Sequence, residues 1–158
     1  MNTDQAAIDR LAAAALPGYG LDPDASAELI NVSENWTYRV REPSGRAFAL
    51  RVHRPDYHTA AEIDSELLWI DALREDGVVD TARAVRAADG SRVCAVGTPE
   101  LGVRNVVLFE WLSGDTPNPD EHDLLPGFRT LGAVSARMHE HARRWERPAS
   151  FTRFSWDY

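Results

Sequence analysis

The stretch from Leu29 to Pro55, LINVSENWTYRVREPSGRAFALRVHRP, most constrains what this chain can fold into. It predicts three short antiparallel strands, because two tight connections interrupt it, the second at Pro43-Ser44-Gly45. The third strand alternates between two faces of a sheet. One face carries Phe48, Leu50 and Val52, and the other carries Ala47, Ala49 and Arg51. A small residue and a cation therefore share a face, which suits a flat ring against Ala49 and an anionic group on Arg51.

A helix is predicted directly after these strands. Thr59-x-x-Glu62 has the form of a capping box, in which each side chain bonds the backbone of the other residue. Apolar residues then recur at helical spacing until Gly77, namely Ile63, Leu67, Ile70 and Leu73. The helix carries Glu62 and Glu66 one turn apart, so a carboxylate from it is available to fix the direction of the strand cation.

The remaining elements complete a small α+β lobe. We expect a helix from Thr3 to Leu16, a hairpin turning at Asp89-Gly90, a buried strand from Val103 to Leu112 and a helix from Leu124 to Trp145. Together they predict a five-stranded antiparallel sheet with one inserted helix. The expected division is an N-terminal helix and loop over 1–26, the lobe over 27–112, and a connector with a further helix over 113–158.

Composition excludes several classes of function. The net charge of -8 argues against a nucleic-acid partner, and the 17 basic residues, all arginine, form no cluster in the sequence. The apolar runs are shorter than the roughly 20 residues that a membrane span needs. The polar start does not resemble a secretory signal, and the single cysteine, Cys94, cannot form an internal disulfide, so a cytoplasmic location is expected.

Several of these segments resemble one family in the order in which they occur. FALRV is similar to the third-strand motif of kinases, with Arg51 where a phosphate-binding lysine usually lies. On the following helix, Glu66 falls where the carboxylate partner of that lysine would lie. VLFEWLSGD resembles the hinge of the aminoglycoside phosphotransferase and choline kinase-like superfamily, which includes homoserine kinase-like members, and SENWTYRV is similar to its phosphate-covering turn. The concluding segments LGAVSARMHEHARRW and FTRFSWDY also resemble this group. The resemblance implies a protein kinase-like N-lobe followed by the first helix of a second lobe.

The resemblance also implies a binding site for ATP. Ser33 and Asn35 would contact phosphate from the turn, Val40 and Ala49 would form a roof over adenine, and Arg51 with Glu66 would hold the phosphates. At the hinge, the Glu110 carbonyl would accept from the adenine amino group and the Leu112 N–H would donate to the ring. Arginine differs from lysine because its planar fork grips phosphate oxygens bidentately but is bulkier.

Ordinary structural explanations stand beside these assignments. Arg51 is also consistent with an ordinary exposed arginine on a strand, and Glu62 and Glu66 with solvated carboxylates on a helix. The turn is also consistent with a plain hairpin loop. Val40 and Ala49 could equally be core residues, and Trp111 could be a pocket wall or an exposed aromatic at an interface. All five histidines are interpreted as structural or exposed, because His139 and His141 face different sides of a helix and the others lack a partner pattern. No metal site is therefore expected in this chain.

The superfamily's acceptor-orienting aspartate occurs in an H-G/A-D motif, and a later aspartate holds magnesium. None of the five histidines is followed by an aspartate two residues on, so we expect a truncated, inactive nucleotide-binding portion of a kinase that phosphorylates an unknown small-molecule hydroxyl. Magnesium is expected only with the missing lobe. The apolar stripe from Leu124 to Trp145, with Phe151, Phe154 and Trp156, would lack its cover and favour self-association. A non-catalytic interaction or dimerisation module, or an unrelated α+β domain, remains the alternative.

Overall fold

An antiparallel sheet with a helix on each face forms the centre of the protein. The computed structural model describes residues 5–114, 118 and 123–153. Its helices are α1 (Gln5–Ala15), α2 (Ala60–Glu75) and α3 (Leu125–Arg144), and a 3₁₀ turn covers Leu16–Tyr19. Its strands are β1 (Ser26–Val32), β2 (Trp36–Arg41), β3 (Ala47–Val52), β4 (Ala84–Val85), β5 (Cys94–Thr98) and β6 (Gly102–Glu110). The mixed α and antiparallel β architecture confirms the predicted fold class.

The sheet has six strands in the order β1-β2-β3-β6-β4, with β5 also bonded to β6. The expected number was five, so the sheet has one strand more than predicted, and its shortest strand is Ala84–Val85. The predicted Asp89-Gly90 turn is present, since the Ala87 N–H donates to the Ser91 carbonyl at 2.8 Å. The strands that flank this turn pair with β6 and not with each other, so the predicted hairpin is not formed. The central position of β6 explains its apolar run, in which Val106, Val107 and Leu108 are fully buried.

Helix α1 covers one face of the sheet. Its side chains Ile8, Leu11 and Ala12 are fully buried and share one hydrophobic cluster with Leu50 and Val52 of β3. Residues 5–15 therefore belong to the same core as the sheet, while the proposed division at residue 26 remains a prediction.

Helix α2 packs on the opposite face. The expected capping box is present: the Thr59 hydroxyl accepts from the Glu62 N–H at 3.2 Å, and the Glu62 carboxylate accepts from the Thr59 N–H at 2.8 Å. Ile63 and Leu67 then pack on Val107 and Phe109 of β6. This contact fixes the position of Glu66, which lies one residue before Leu67, beside β3.

Helix α3 contacts the rest of the protein through its C-terminal half. His141 is fully buried, accepts from the Trp69 indole N–H at 3.2 Å through Nδ1, and lies 3.0 Å from the Asp76 carboxylate through Nε2. Its N-terminal half exposes apolar side chains, with Leu125, Phe128 and Leu131 each at least 60% exposed. Phe154 and Trp156 lie outside the described residues. No helix in the described ranges is long and apolar enough to cross a membrane.

Candidate functional site

Arg51 and Glu66 form the centre of the candidate site. Arg51 lies on the β3 face that α2 covers, and its Nη1 donates to Glu66 Oε1 at 3.1 Å. Its guanidinium also lies over the Phe109 ring at 5.0 Å, so an aromatic face and a carboxylate both restrict its orientation. The pair expected from the sequence is therefore formed in the folded chain.

A second arginine reaches the same carboxylate from the opposite end of the chain. Arg153 Nη1 donates to Glu66 Oε2 at 3.3 Å, so each oxygen of Glu66 accepts from a different guanidinium. The neighbouring Thr152 N–H donates to Ser65 Oγ at 2.9 Å, which fixes this segment along α2. Sequence reasoning missed Arg153, because it is separated from Glu66 by 87 residues and nothing in its local sequence signals the contact.

Glu62, the rival partner for Arg51, is used elsewhere. Its carboxylate accepts from the Thr59 N–H and from the Thr59 hydroxyl at 2.9 Å. These hydrogen bonds favour the charged form, so the pKa of Glu62 lies below its ordinary value. The structure therefore separates the two carboxylates: Glu62 caps α2, and Glu66 faces Arg51.

The β1–β2 turn closes over the same region. A cavity of about 510 Å³ is lined by the turn residues Ser33, Glu34 and Asn35 together with Arg51 and Glu66. Arg54 holds the turn, since its Nη2 donates to the Ser33 carbonyl at 2.5 Å and its Nη1 lies 3.2 Å from the Glu34 carboxylate. The structure thus brings four of the predicted site residues, Ser33, Asn35, Arg51 and Glu66, around one cavity. Their role in binding a nucleotide stays a prediction.

The structure corrects the assignment of Val40. Val40 pairs with Phe48 across β2 and β3, and residues directly opposite each other lie on the same face of a sheet. It is fully buried in the cluster that contains α1, on the face away from Ala49 and Arg51. Val40 therefore cannot form a roof with Ala49. Arg39 lies opposite Ala49 and Thr37 lies opposite Arg51, so these two residues extend the candidate face on β2.

The predicted hinge lies at the end of β6. Glu110 is exposed and is the last residue of that strand, and Leu112 follows two residues later and is 52% exposed. The Glu110 N–H is already used, because it donates to the Arg83 carbonyl at 2.9 Å. Trp111 lies between them with the Arg39 guanidinium 4.0 Å from its ring centre, which joins the hinge to the face of Ala49. Hinge contacts with adenine remain a prediction.

His53 is a feature of the cavity that the sequence interpretation placed among structural residues. Its side chain is 4% exposed and lines the cavity beside Arg51, and its Nε2 has no hydrogen-bond partner within the described part of the chain. Burial, and next the positive charge of Arg51, lower its pKa to about 4. The strand alternation that places Arg51 also places His53 on this face, but the burial of its ring is visible only in three dimensions.

The fold and the Arg51–Glu66 pair define the class of protein: a kinase-like N-terminal lobe. Residues 27–158 match the phosphotransferase enzyme family, and the chain belongs to this family. This confirms the resemblance to the aminoglycoside phosphotransferase-like superfamily that the sequence motifs carry.

Two solved structures are similar to this chain. A microcompartment-associated aminopropanol kinase is 46% identical, with a TM-score of 0.80 over 98% of this chain and 45% of its own. An amicoumacin kinase, solved in complex with AMP-PNP, Ca²⁺ and Ami, is 22% identical, with a TM-score of 0.75 over 98% of this chain and 44% of its own. The chain thus spans less than half the length of either structure. No curated protein sequence matches it.

Proposed function

We propose that this chain is the nucleotide-binding portion of an ATP-dependent phosphotransferase that transfers phosphate to a small-molecule hydroxyl. The observation that carries the proposal is the Arg51–Glu66 ion pair at 3.1 Å, which lines one cavity with the turn residues Ser33 and Asn35. Phosphoryl transfer depends mainly on positioning the triphosphate and neutralising its charge. An arginine whose direction is fixed by a carboxylate supplies both the positioning of the triphosphate and the positive charge that neutralises it.

In this proposal the nucleotide binds on the face of the sheet that α2 covers, where Arg51 and Ala49 lie. Arg51 contacts phosphate oxygens, and the turn supplies side-chain donors from Ser33 and Asn35. Ala49, two residues before Arg51 on the same face of β3, contacts the base. Arg39 and Trp111 form the outer wall beside the hinge residues Glu110 and Leu112. A cytoplasmic location, expected from the single cysteine, forms part of the proposal.

Magnesium has no evident set of ligands in this part of the protein. No three His, Cys, Asp or Glu side chains among the described residues are arranged to hold a metal ion. Glu66, the inner carboxylate of the cavity, accepts from two arginines, and their charge disfavours a cation beside it. In this proposal the described residues bind and orient phosphate, and the magnesium ligands come from a second lobe that accompanies this one.

We infer that the acceptor is a small amino alcohol. The support is the 46% identity to an aminopropanol kinase, and a net charge of -8 suits a cationic substrate. Since the chain spans 45% of that structure, the acceptor is proposed for a protein in which a second lobe accompanies this one. Phosphorylation of aminopropanol but not of an uncharged propanediol by such a protein is the expected result.

Nucleotide titration of the 158-residue chain tests the main proposal. ATP should bind weakly, without turnover of any acceptor. The second candidate function, a kinase-like interaction or dimerisation module, is favoured by the exposed apolar side chains of α3, Leu125, Phe128 and Leu131. That module would not respond to ATP, so an isothermal titration that shows no binding up to millimolar ATP would exclude the nucleotide function.

A further inference from the structure

The inference concerns His53, the residue that follows β3. Its backbone N–H donates to the Asn105 carbonyl at 2.9 Å, so the main chain at this position is fixed by β6. Its ring lies on the face of Arg51 and lines the cavity of about 510 Å³ under the β1–β2 turn. With 4% of its surface exposed, the ring has little access to bulk water. Nε2 of His53 is buried without a hydrogen-bond partner among the described residues, and a buried polar atom of this kind is stabilised by a partner.

The charges around His53 favour an anion over a cation. Arg51 and Arg153 lie on the two oxygens of Glu66, and Arg54 is paired with Glu34 at the turn. Two arginines, Arg51 and Arg153, thus face the His53 ring against one carboxylate, Glu66. A metal ion bound to His53 would need a free carboxylate nearby, whereas Glu66 is already shared between two guanidinium groups.

His53 is suited to donate one hydrogen bond without adding a charge. Four ionisable side chains face its ring from the surrounding elements: Arg51 of β3, Glu66 of α2, His58 of the loop between β3 and α2, and Arg153 of the C-terminal segment. Because its pKa lies near 4, the imidazole is neutral at physiological pH and carries a single proton. In the tautomer with that proton on Nε2, the ring offers a donor to the cavity.

We propose that His53 is a phosphate-binding residue, whose Nε2–H donates to an oxygen of the polyphosphate chain of a nucleoside di- or triphosphate held between Arg51 and Arg153. The proposal rests on the proposed function and extends it to a residue outside the kinase-like motifs. A nucleoside monophosphate lacks the β- and γ-phosphates that this contact requires. The site thereby distinguishes ATP and ADP from AMP.

The test compares the 158-residue chain with His53→Leu, His53→Gln and the exposed control His139→Gln, each titrated with ATP, AMP and inorganic tripolyphosphate. His53→Leu should weaken binding of ATP and tripolyphosphate by about tenfold and leave AMP unchanged, because it removes a hydrogen bond to a charged group. His53→Gln should recover part of the loss through its amide donor. His139→Gln should bind like the unmodified chain. Far-ultraviolet circular dichroism and thermal melting check that each variant is folded.

Nitrogen NMR of the imidazole gives a readout that a purely structural role would not move. Tripolyphosphate should shift the Nε2 resonance of His53 and raise the pKa of the ring, since a bound anion favours the charged form. Equal ATP binding by the unmodified chain and His53→Leu overturns the inference and leaves the proposed function standing. Equal weakening of ATP and AMP also overturns it, because His53 would then act only through the fold. Absence of ATP binding by the unmodified chain overturns the proposed function and this inference together.

Discussion

Arg51 Nη1 and Glu66 Oε1 are 3.1 Å apart, and Arg153 holds the other oxygen of the same carboxylate. One acidic side chain of α2 therefore orients two arginines, one from β3 and one from the C-terminal segment. An isolated ion pair that is partly exposed contributes little to stability, typically about 0–1 kcal/mol. The arrangement is better explained as a means of fixing two guanidinium groups toward one cavity, which leads to the first prediction.

Arg51→Ala should weaken ATP binding by about 10- to 100-fold, because a charge-assisted contact to phosphate is lost. The fold should persist, since Glu66 keeps Arg153 as a partner. Arg10→Ala is a matched control: Arg10 also forms an ion pair, with Glu100 at 3.4 Å, but lies on α1 away from the cavity. Calorimetric titration measures both variants. Equal ATP affinity of Arg51→Ala and Arg10→Ala would contradict the assigned role of Arg51.

The pH dependence of the free energy of unfolding should reveal the protonation of His53. Its pKa is about 4 in the folded chain and near the ordinary 6.5 when unfolded, so the unfolded state binds more protons between these values. The stability that neutral His53 contributes is complete above pH 6.5 and is lost progressively as the pH falls toward 4. The loss is on the order of 3 kcal/mol, since each pKa unit corresponds to about 1.4 kcal/mol.

Urea denaturation at several pH values, for the unmodified chain and for His53→Gln, measures this contribution. The difference between the two proteins removes the contribution of the carboxylates, which is common to both. Parallel stability curves from pH 7 to pH 4 would show that His53 does not carry the depressed pKa.

His141→Ala should loosen the contact of α3 with α2. His141 is fully buried between Trp69 and Asp76, and its removal leaves a cavity and an unpaired indole N–H. We expect a loss of about 2–4 kcal/mol or local release of α3, visible as faster amide exchange over residues 125–144. His139→Ala, an exposed position two residues earlier on the same helix, should change neither stability nor exchange.

Thr59→Ala should destabilise the chain by about 1 kcal/mol, because it removes the side-chain acceptor that caps α2. The thermal midpoint should fall by several degrees. Thr130→Ala is a control inside α3, where the hydroxyl donates to the Pro126 carbonyl one turn earlier, and its effect should stay below about 0.5 kcal/mol. A larger loss for Thr130→Ala than for Thr59→Ala would refute the capping argument.

Self-association should occur through the N-terminal half of α3. Phe128 and Leu131 are 65% and 60% exposed and share one apolar face with Leu125. The double variant Phe128→Asp with Leu131→Asp should lower the average mass in sedimentation equilibrium. Thr130→Asp, an exposed position two residues from Phe128 and therefore on a different side of the helix, should leave association unchanged. A monomeric unmodified chain at high micromolar concentration would rule this surface out as a self-association site.

The sequence by itself determined the local elements and one face of the site. The alternation over 47–52 placed Ala49 and Arg51 together, and the Thr59–Glu62 pattern located the start of α2. These features follow from short-range rules, namely the period of a strand and the unpaired N–H groups at a helix start. The order of the motifs was enough to identify the family, which the match over 27–158 confirmed.

Tertiary structure decided what lies opposite and around those residues. Whether Val40 or Arg39 faces Ala49 depends on the register of β2 against β3, and a shift by one residue moves every side chain to the other face. The burial of His53 depends on α2 and the turn closing over it, and Arg153 reaches Glu66 only because the C-terminal segment folds back along α2. These contacts join residues distant in sequence, and no local pattern encodes them.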